Sequence, residues 1–192
     1  MERFSPTKLV EPLDSTDHVL GPVLVEVVVV EYGDFECPTC KQAASAVEVL
    51  LERYRDRIRF GFRHFPLEDA HPNALQAAQA AECAAAQGKF WEMHKLLFER
   101  QMQLERDHLH AYAEQLDLDL ARFDAELNSQ MYLPHIRKHL ASGKRAGVRG
   151  TPGFFVNGKV QDVSFGMRQL FDAAQAGLVG TDTSALRSHG NL

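Results

Sequence analysis

Glu31-Tyr32-Gly33-Asp34-Phe35-Glu36-Cys37-Pro38-Thr39-Cys40 stands between an apolar run, Val23 to Val30, and a helical pattern, Lys41 to Tyr54. That order predicts a strand, a turn at Gly33-Asp34, and a helix with two thiols in its first turn. Cysteines three apart on a helix are neighbours on one face. The spacing also suits the short Cα separation of a disulfide. Pro38 fits a first helical turn, where its missing N–H has no intrahelical partner to lose. Free amides and the helix dipole favour an anion at Cys37. A thiol that ionises readily is a better nucleophile at neutral pH and a better leaving group. This reading assigns attack to Cys37 and resolution to Cys40. A lone Cys-x-x-Cys also fits half a zinc site or a structural staple. A structural zinc site needs two further ligands at short, regular spacing. Cys83 is the remaining cysteine, and His135 and His139 lie far from the pair in sequence. The expectation is redox chemistry with no metal and no organic cofactor.

The chain has 192 residues, 45% of them apolar and 24% charged, with a net charge of −5. That is enough for one well-packed domain that can carry an insertion. The negative balance gives no electrostatic reason to expect a nucleic-acid partner. Three cysteines are too few for a disulfide scaffold. Val23 to Val30 is too short for a membrane span and carries Glu26. Met1 to Asp14 has no apolar core behind basic residues, so the expectation is no signal peptide, no membrane anchor and a cytoplasmic location.

Residues 1–22, with Pro6, Pro12 and Pro22, read as an irregular arm with room for a short edge strand. Val23 to Tyr32 is apolar at nearly every position, which suits a central strand covered on both faces. Ile58 to Phe65 alternates, and strand–helix–strand implies a parallel pair. Residues 67–146 read as an all-helical insertion: Asn73 to Gln87, Phe90 to Met102, a helix capped by Asp107, another capped by Asp117 or Asp119, and Tyr132 to Ala146. Asn157-Gly158 is a strong two-residue hairpin signal between Phe154–Val156 and Lys159–Asp162. A last helix spans about Met167 to Gly177, and residues 179–192 read as a flexible tail. The expected organisation is a first domain made of 23–66 and 147–178, interrupted by the helices.

Two motifs in this order, Cys37-Pro38-Thr39-Cys40 and Gly150-Thr151-Pro152-Gly153-Phe154-Phe155-Val156-Asn157-Gly158, resemble the DsbA-like branch of the thioredoxin superfamily. Val30 to Cys37 and Phe62-Arg63-His64-Phe65-Pro66-Leu67 are similar to bacterial members too. The resemblance covers about Val23 to Leu178. It implies an α/β thioredoxin fold, a central mixed sheet flanked by helices, with the helical insertion. It also implies thiol–disulfide exchange with protein dithiol or disulfide substrates, a recycling redox partner, and a cis Thr151–Pro152 bond. In the family that loop lies beside the thiols and pairs with an extended substrate segment. Pro38, Thr39, Glu31, Thr151 and Pro152 then support the active site, and Phe35, Gly150 and Phe154 border a substrate groove.

Glu31 matches the buried acid of the family, which relays protons to and from Cys40. Glu36 and Asp34 are expected to raise the Cys37 pKa if they point at it. Threonine, in place of the histidine common in strong oxidants, agrees with a less oxidising couple. His64 reads as a surface-turn residue and Cys83 as a buried structural thiol. Two rival readings share the residues: a non-catalytic redox sensor or binding module, and a glutathione-linked dithiol reductase.

Overall fold

The computed structural model describes residues 11–187, with side chains through 179. Five strands form one mixed sheet in the order β1-β3-β2-β4-β5. They are β1 (His18–Leu20), β2 (Val27–Gly33), β3 (Ile58–His64), β4 (Gly153–Val156) and β5 (Lys159–Gln161). β2 and β3 run parallel, from Val27 opposite Ile58 to Gly33 opposite His64. The connection between them is α1 (Pro38–Arg53). The other three pairings are antiparallel. β2 and β3 are buried along nearly their whole length, β2 as the apolar run of a central strand should be, and β3 with Arg63 and His64 sealed in as well.

The central strand starts later than the apolar run suggests. Val23 and Leu24 are exposed, because β3 begins opposite Val27 and offers no rung before it. The arm does hold an edge strand: β1 pairs with β3, His18 opposite Phe62. At the other edge, Asn157 (φ 47°) and Gly158 (φ 76°) both take left-handed backbone, as a two-residue primed turn requires. Asn157 also knits the turn to β2, accepting from the Val28 N–H at 2.8 Å and donating to the Glu26 carbonyl at 3.1 Å.

Between β3 and β4 come α2 (Ala74–Ala85), α3 (Phe90–Glu99), α4 (Arg106–Gln115), α5 (Leu120–Asn128) and α6 (Leu133–Arg145). α2 touches all four of the others. Its buried face is built of Ala77, Ala80, Ala81 and Ala84, small side chains that let several helices approach one axis. Cys83 is fully buried on the same helix. Asp119 caps α5 through the Arg122 N–H at 3.0 Å. Asp107 does not cap α4: the N-cap is Glu105, and Asp107 lies in the first turn. The closing helix α7 (Arg168–Arg187) crosses Gly177 and Gly180 and runs into the stretch read as a tail. A glycine inside a helix costs only about 1 kcal/mol, and a Cβ on Gly177 would come within 2.7 Å of Val27 Cγ2. Residues 188–192 of that stretch lie outside the described residues. Among the described residues no helix is long and apolar enough to cross a membrane.

One buried ion pair ties the arm to the sheet. Arg63 Nε and Nη2 donate to the two Asp17 carboxylate oxygens at 2.7 and 2.8 Å. Nη1 donates to the Tyr32 hydroxyl at 3.1 Å, and both Nη atoms reach arm carbonyls, of Glu11 and Pro12. Both side chains are almost fully buried, so removing Arg63 leaves the Asp17 carboxylate buried with only the Asp14 N–H and His139 near it among the described residues. Arg63→Met is expected to lower the unfolding free energy by about 3–5 kcal/mol in a urea melt; a loss below about 1 kcal/mol would show that the pair does not hold the arm.

Candidate active site

Cys37 is the N-cap of α1 (φ −76°, ψ 120°), Pro38 opens the helix, and Cys40 lies in its first turn. The leading sulfur therefore sits one residue earlier than a first-turn position. The Cys37 N–H donates to the Asp34 carbonyl at 3.2 Å, which closes the turn between β2 and α1. Pro38 and Thr39 are exposed, whereas Cys40 is completely buried. All three cysteines are free thiols.

The second half of the site comes from the far end of the chain. After α6, Gly147 takes left-handed backbone (φ 85°), and the loop leads through a cis Thr151–Pro152 bond into β4. Cys37 Sγ lies 3.3 Å from the Thr151 carbonyl oxygen and 3.0 Å from Thr39 Oγ1. The Thr39 hydroxyl donates to the same carbonyl at 3.1 Å. The Thr151 hydroxyl has no hydrogen-bond partner in this dithiol state, which leaves it able to turn toward an anionic sulfur.

Hydrogen bonding brings the Cys37 pKa down to about 4, first from the Cys40 thiol, then from Thr151, Thr39 and the Cys40 amide, against the burial that opposes ionisation. Burial pushes Cys40 far up, and its bond to Cys37 and the charges of Glu31 and Cys37 add to that. The two thiols are thereby split into a nucleophile and a protonated partner. Burial first, then the Cys37 charge, raises Glu31 to about 8. Glu31 sits in β2 between Phe62 and Phe154, and its Oε1 lacks a hydrogen-bond partner. It lines a cavity of about 330 Å³ together with Lys41, Trp91, His94 and Glu99.

Several expectations change on this geometry. Asp34 and Glu36 point away from the sulfur. Asp34 accepts from the N–H groups of Glu36 and Leu67, both at 2.8 Å, and lies 2.8 Å from His71 Nδ1. Glu36 accepts from the Asn73 N–H at 2.7 Å. They brace the active-site turn against the chain leading into α2, and the reason for expecting a less acidic Cys37 goes with them. Phe35 and Phe154 are not groove residues, being 1% and 0% exposed. Phe35 packs on Phe62 and Phe98, with ring centroids 5.4 and 5.0 Å apart. Gly150 is exposed, and a Cβ there would meet nothing within 4 Å. His64 is 1% exposed at the end of β3, not in a surface turn. Gln101, which the reading above passes over, donates from Nε2 to the carbonyls of Phe35 and Cys37, both at 2.8 Å. It lies just past α3, where no periodic pattern singles it out.

The profile of the family described as thioredoxin matches residues 13–173. Among solved structures the chain is similar to BdbD from Bacillus subtilis, at TM-score 0.80 and 21% identity, covering 91% of this chain and 99% of that one. It is also similar to a thioredoxin-like oxidoreductase from Silicibacter pomeroyi DSS-3, at TM-score 0.75 and 27% identity, covering 85% and 92%. The match to BdbD takes in the inserted helices, in line with the DsbA-like resemblance. A Salinispora arenicola (strain CNS-205) protein named Na(+)/H(+) antiporter NhaA 1 is 46% identical over 174 residues, which are 90% of this chain and 26% of that protein. The chain spans about a quarter of the length of the curated relatives it matches.

Brief iodoacetamide treatment of the folded, reduced chain at pH 7 should label Cys37 alone, with Cys40 and Cys83 protected by burial until denaturant is added. Peptide mass mapping reads this directly. Early labelling of Cys83, whose pKa burial pushes up to about 12, would contradict the packing of α2.

Proposed function

The chain belongs to the thioredoxin family, and from that premise we propose that it is a DsbA-like thiol–disulfide oxidoreductase acting on protein substrates through Cys37 and Cys40. The observation that carries the reading is the division of labour between the thiols: an acidified sulfur beside the Thr151–Pro152 loop and a buried, protonated one behind it.

In the reducing direction the Cys37 thiolate attacks one sulfur of a substrate disulfide. A Cys37–substrate bond forms, the substrate S–S bond breaks, and the departing sulfur leaves as a thiolate that takes a proton from water. Bonding the Cys37 sulfur removes the charge that helps keep Glu31 protonated. Glu31 thereby gives up its own proton more readily, and the resulting carboxylate is free to take the Cys40 proton. The Cys40 thiolate then attacks Cys37, closing the Cys37–Cys40 disulfide and releasing the second substrate thiol. The substrate gains two electrons and two protons; the enzyme pair supplies both electrons and the Cys40 proton, and water supplies the other proton. The cavity beside Glu31, with Lys41 and Glu99 on its lining, gives the proton a path outward. Run backward, the same steps donate a disulfide.

A thiolate stabilised in the reduced form makes a couple more oxidising, so the acidity of Cys37 favours disulfide donation over the less oxidising behaviour expected from the sequence. It also favours an oxidising compartment over the cytoplasmic one. A substrate segment would lie extended along the loop at Gly150 and Thr151, where the surface is open, in a form of strand addition. A separate redox protein would restore the pair after each cycle. Sodium–proton antiport is named for a relative of which this chain matches about a quarter; for the matched segment the proposal is thiol chemistry.

Catalytic oxidation of a reduced, unfolded protein in a glutathione buffer tests the reading. Wild type should turn over many times and Cys37→Ser not at all; one stoichiometric round without turnover would favour a redox sensor. Glu31→Gln should slow resolution of the mixed disulfide at neutral pH by on the order of a hundredfold, and an unchanged rate would remove Glu31 from the mechanism.

A further inference from the structure

Away from the thiols, imidazoles from three separate elements gather on one carboxylate. His18 on β1 and His64 at the end of β3 place their Nε2 atoms 2.8 and 2.7 Å from Glu82 Oε1 on α2. His135 on α6 brings its Nε2 to 3.6 Å from the same oxygen. The donor atoms of His18, His64 and Glu82 all lie within 4.8 Å of one another. His64 and Glu82 are closed to water, while the side chains of His18 and His135 keep 15% and 22% of their exposure. The cluster thus has a sealed floor and an accessible side. His18 is held by stacking on Phe90, ring centroids 3.5 Å apart, and His135 packs against His139 at 4.2 Å.

The chemistry of this set suits a cation. Glu82 is buried, and its Oε1 lies within hydrogen-bond reach of His18 Nε2 and His64 Nε2. Its ion-pair partners among the described residues are imidazoles. A buried carboxylate needs compensating charge. Neutral imidazole is the form that ligates metals. His64 Nδ1 is buried and has no hydrogen-bond partner among the described residues, so the ring proton can move there from Nε2, which faces Glu82, when a cation takes the Nε2 lone pair.

We propose that His18, His64 and Glu82 bind a divalent ion of the zinc class, with His135 moving in from beside Glu82 as a fourth ligand, as a clamp fastening β1 and the inserted helices to β3. Nitrogen and carboxylate ligands on tetrahedral zinc lie roughly 3.3 Å from one another, so the close contacts would widen by about half an ångström on binding. Three ligands are in place, and His135 turning toward them would complete the four of a closed, structural site. The sequence reading could not find it: the four residues come from positions 18, 64, 82 and 135 and share no motif spacing.

The test uses the full chain with Cys37→Ser and Cys40→Ser, so that the thiol pair cannot take the metal. Zn²⁺ is the probe, in calorimetric titration and thermal melts. The expected result is one ion per chain at micromolar or tighter affinity and a melting temperature that rises with Zn²⁺. Adding His18→Gln and His135→Gln should weaken binding at least a hundredfold, whereas His108→Gln on the surface should change nothing. Affinity indifferent to the first pair, or no binding by the parent, would overturn the site and leave a cluster that exchanges protons only. If the doubly substituted chain fails to fold, Co²⁺ in the parent decides: intense visible bands of a four-coordinate ion support the proposal, and the weak spectrum of hydrated cobalt refutes it. Because the background lacks both reactive thiols, neither result depends on the redox reading.

Discussion

A sulfur anion at the start of α1, stabilised by its own neighbours against the cost of burial, is the feature on which the candidate site depends. Cys37 is only 6% exposed, and burial alone would keep its proton on. The Cys40 thiol and the Cys40 amide, with the Thr39 and Thr151 hydroxyls able to turn toward an anionic sulfur, reverse that outcome. A hydrogen bond to a charged group contributes about 1.5–3 kcal/mol, so a few converging donors outweigh the desolvation. The same thiol–thiol bond has the opposite consequence for Cys40. It donates to the anion and sits deeper, so it keeps its proton. The pairing of the two thiols therefore assigns both roles.

The remaining architecture holds that contact in place. β2 ends at Gly33, and the turn that follows is fixed from two directions. Asp34 and Glu36 bind the chain leading into α2, and Gln101 holds the Phe35 and Cys37 carbonyls from the end of α3. Beneath the turn, Phe35 is packed into the aromatic core beside Phe62 and Phe98. The Thr151–Pro152 loop arrives between α6 and β4, and β4 is tied to β2 by the register that sets Phe154 against Glu31. The helical insertion thus buttresses the active-site turn, beyond lengthening the link between β3 and β4.

What the sequence discloses is whatever local chemistry decides. Cys37-Pro38-Thr39-Cys40 after an apolar run reads correctly as strand, turn and helix, because proline and the thiol spacing act within one turn. Asn157-Gly158 reads as a hairpin because both residues tolerate left-handed backbone. Long-range packing is where the reading fails. Val23 and Leu24 look like strand but have no partner rung. His64 looks like a turn residue and is sealed by helices far along the chain. Acids beside a cysteine look like a brake on its ionisation, yet backbone N–H groups and His71 turn Asp34 and Glu36 away. Phe154 looks like groove lining only until its register opposite Glu31 is known. Each of these depends on which side of a segment another segment covers, and a single sequence does not carry that.

The most direct measurement is the pH dependence of Cys37 alkylation in the reduced wild-type chain, set beside the same titration of Cys40→Ala. The account predicts a midpoint near 4 for wild type and a clear rise once the donating thiol is gone. A wild-type midpoint between about 8 and 9, the range of a free cysteine, would contradict it.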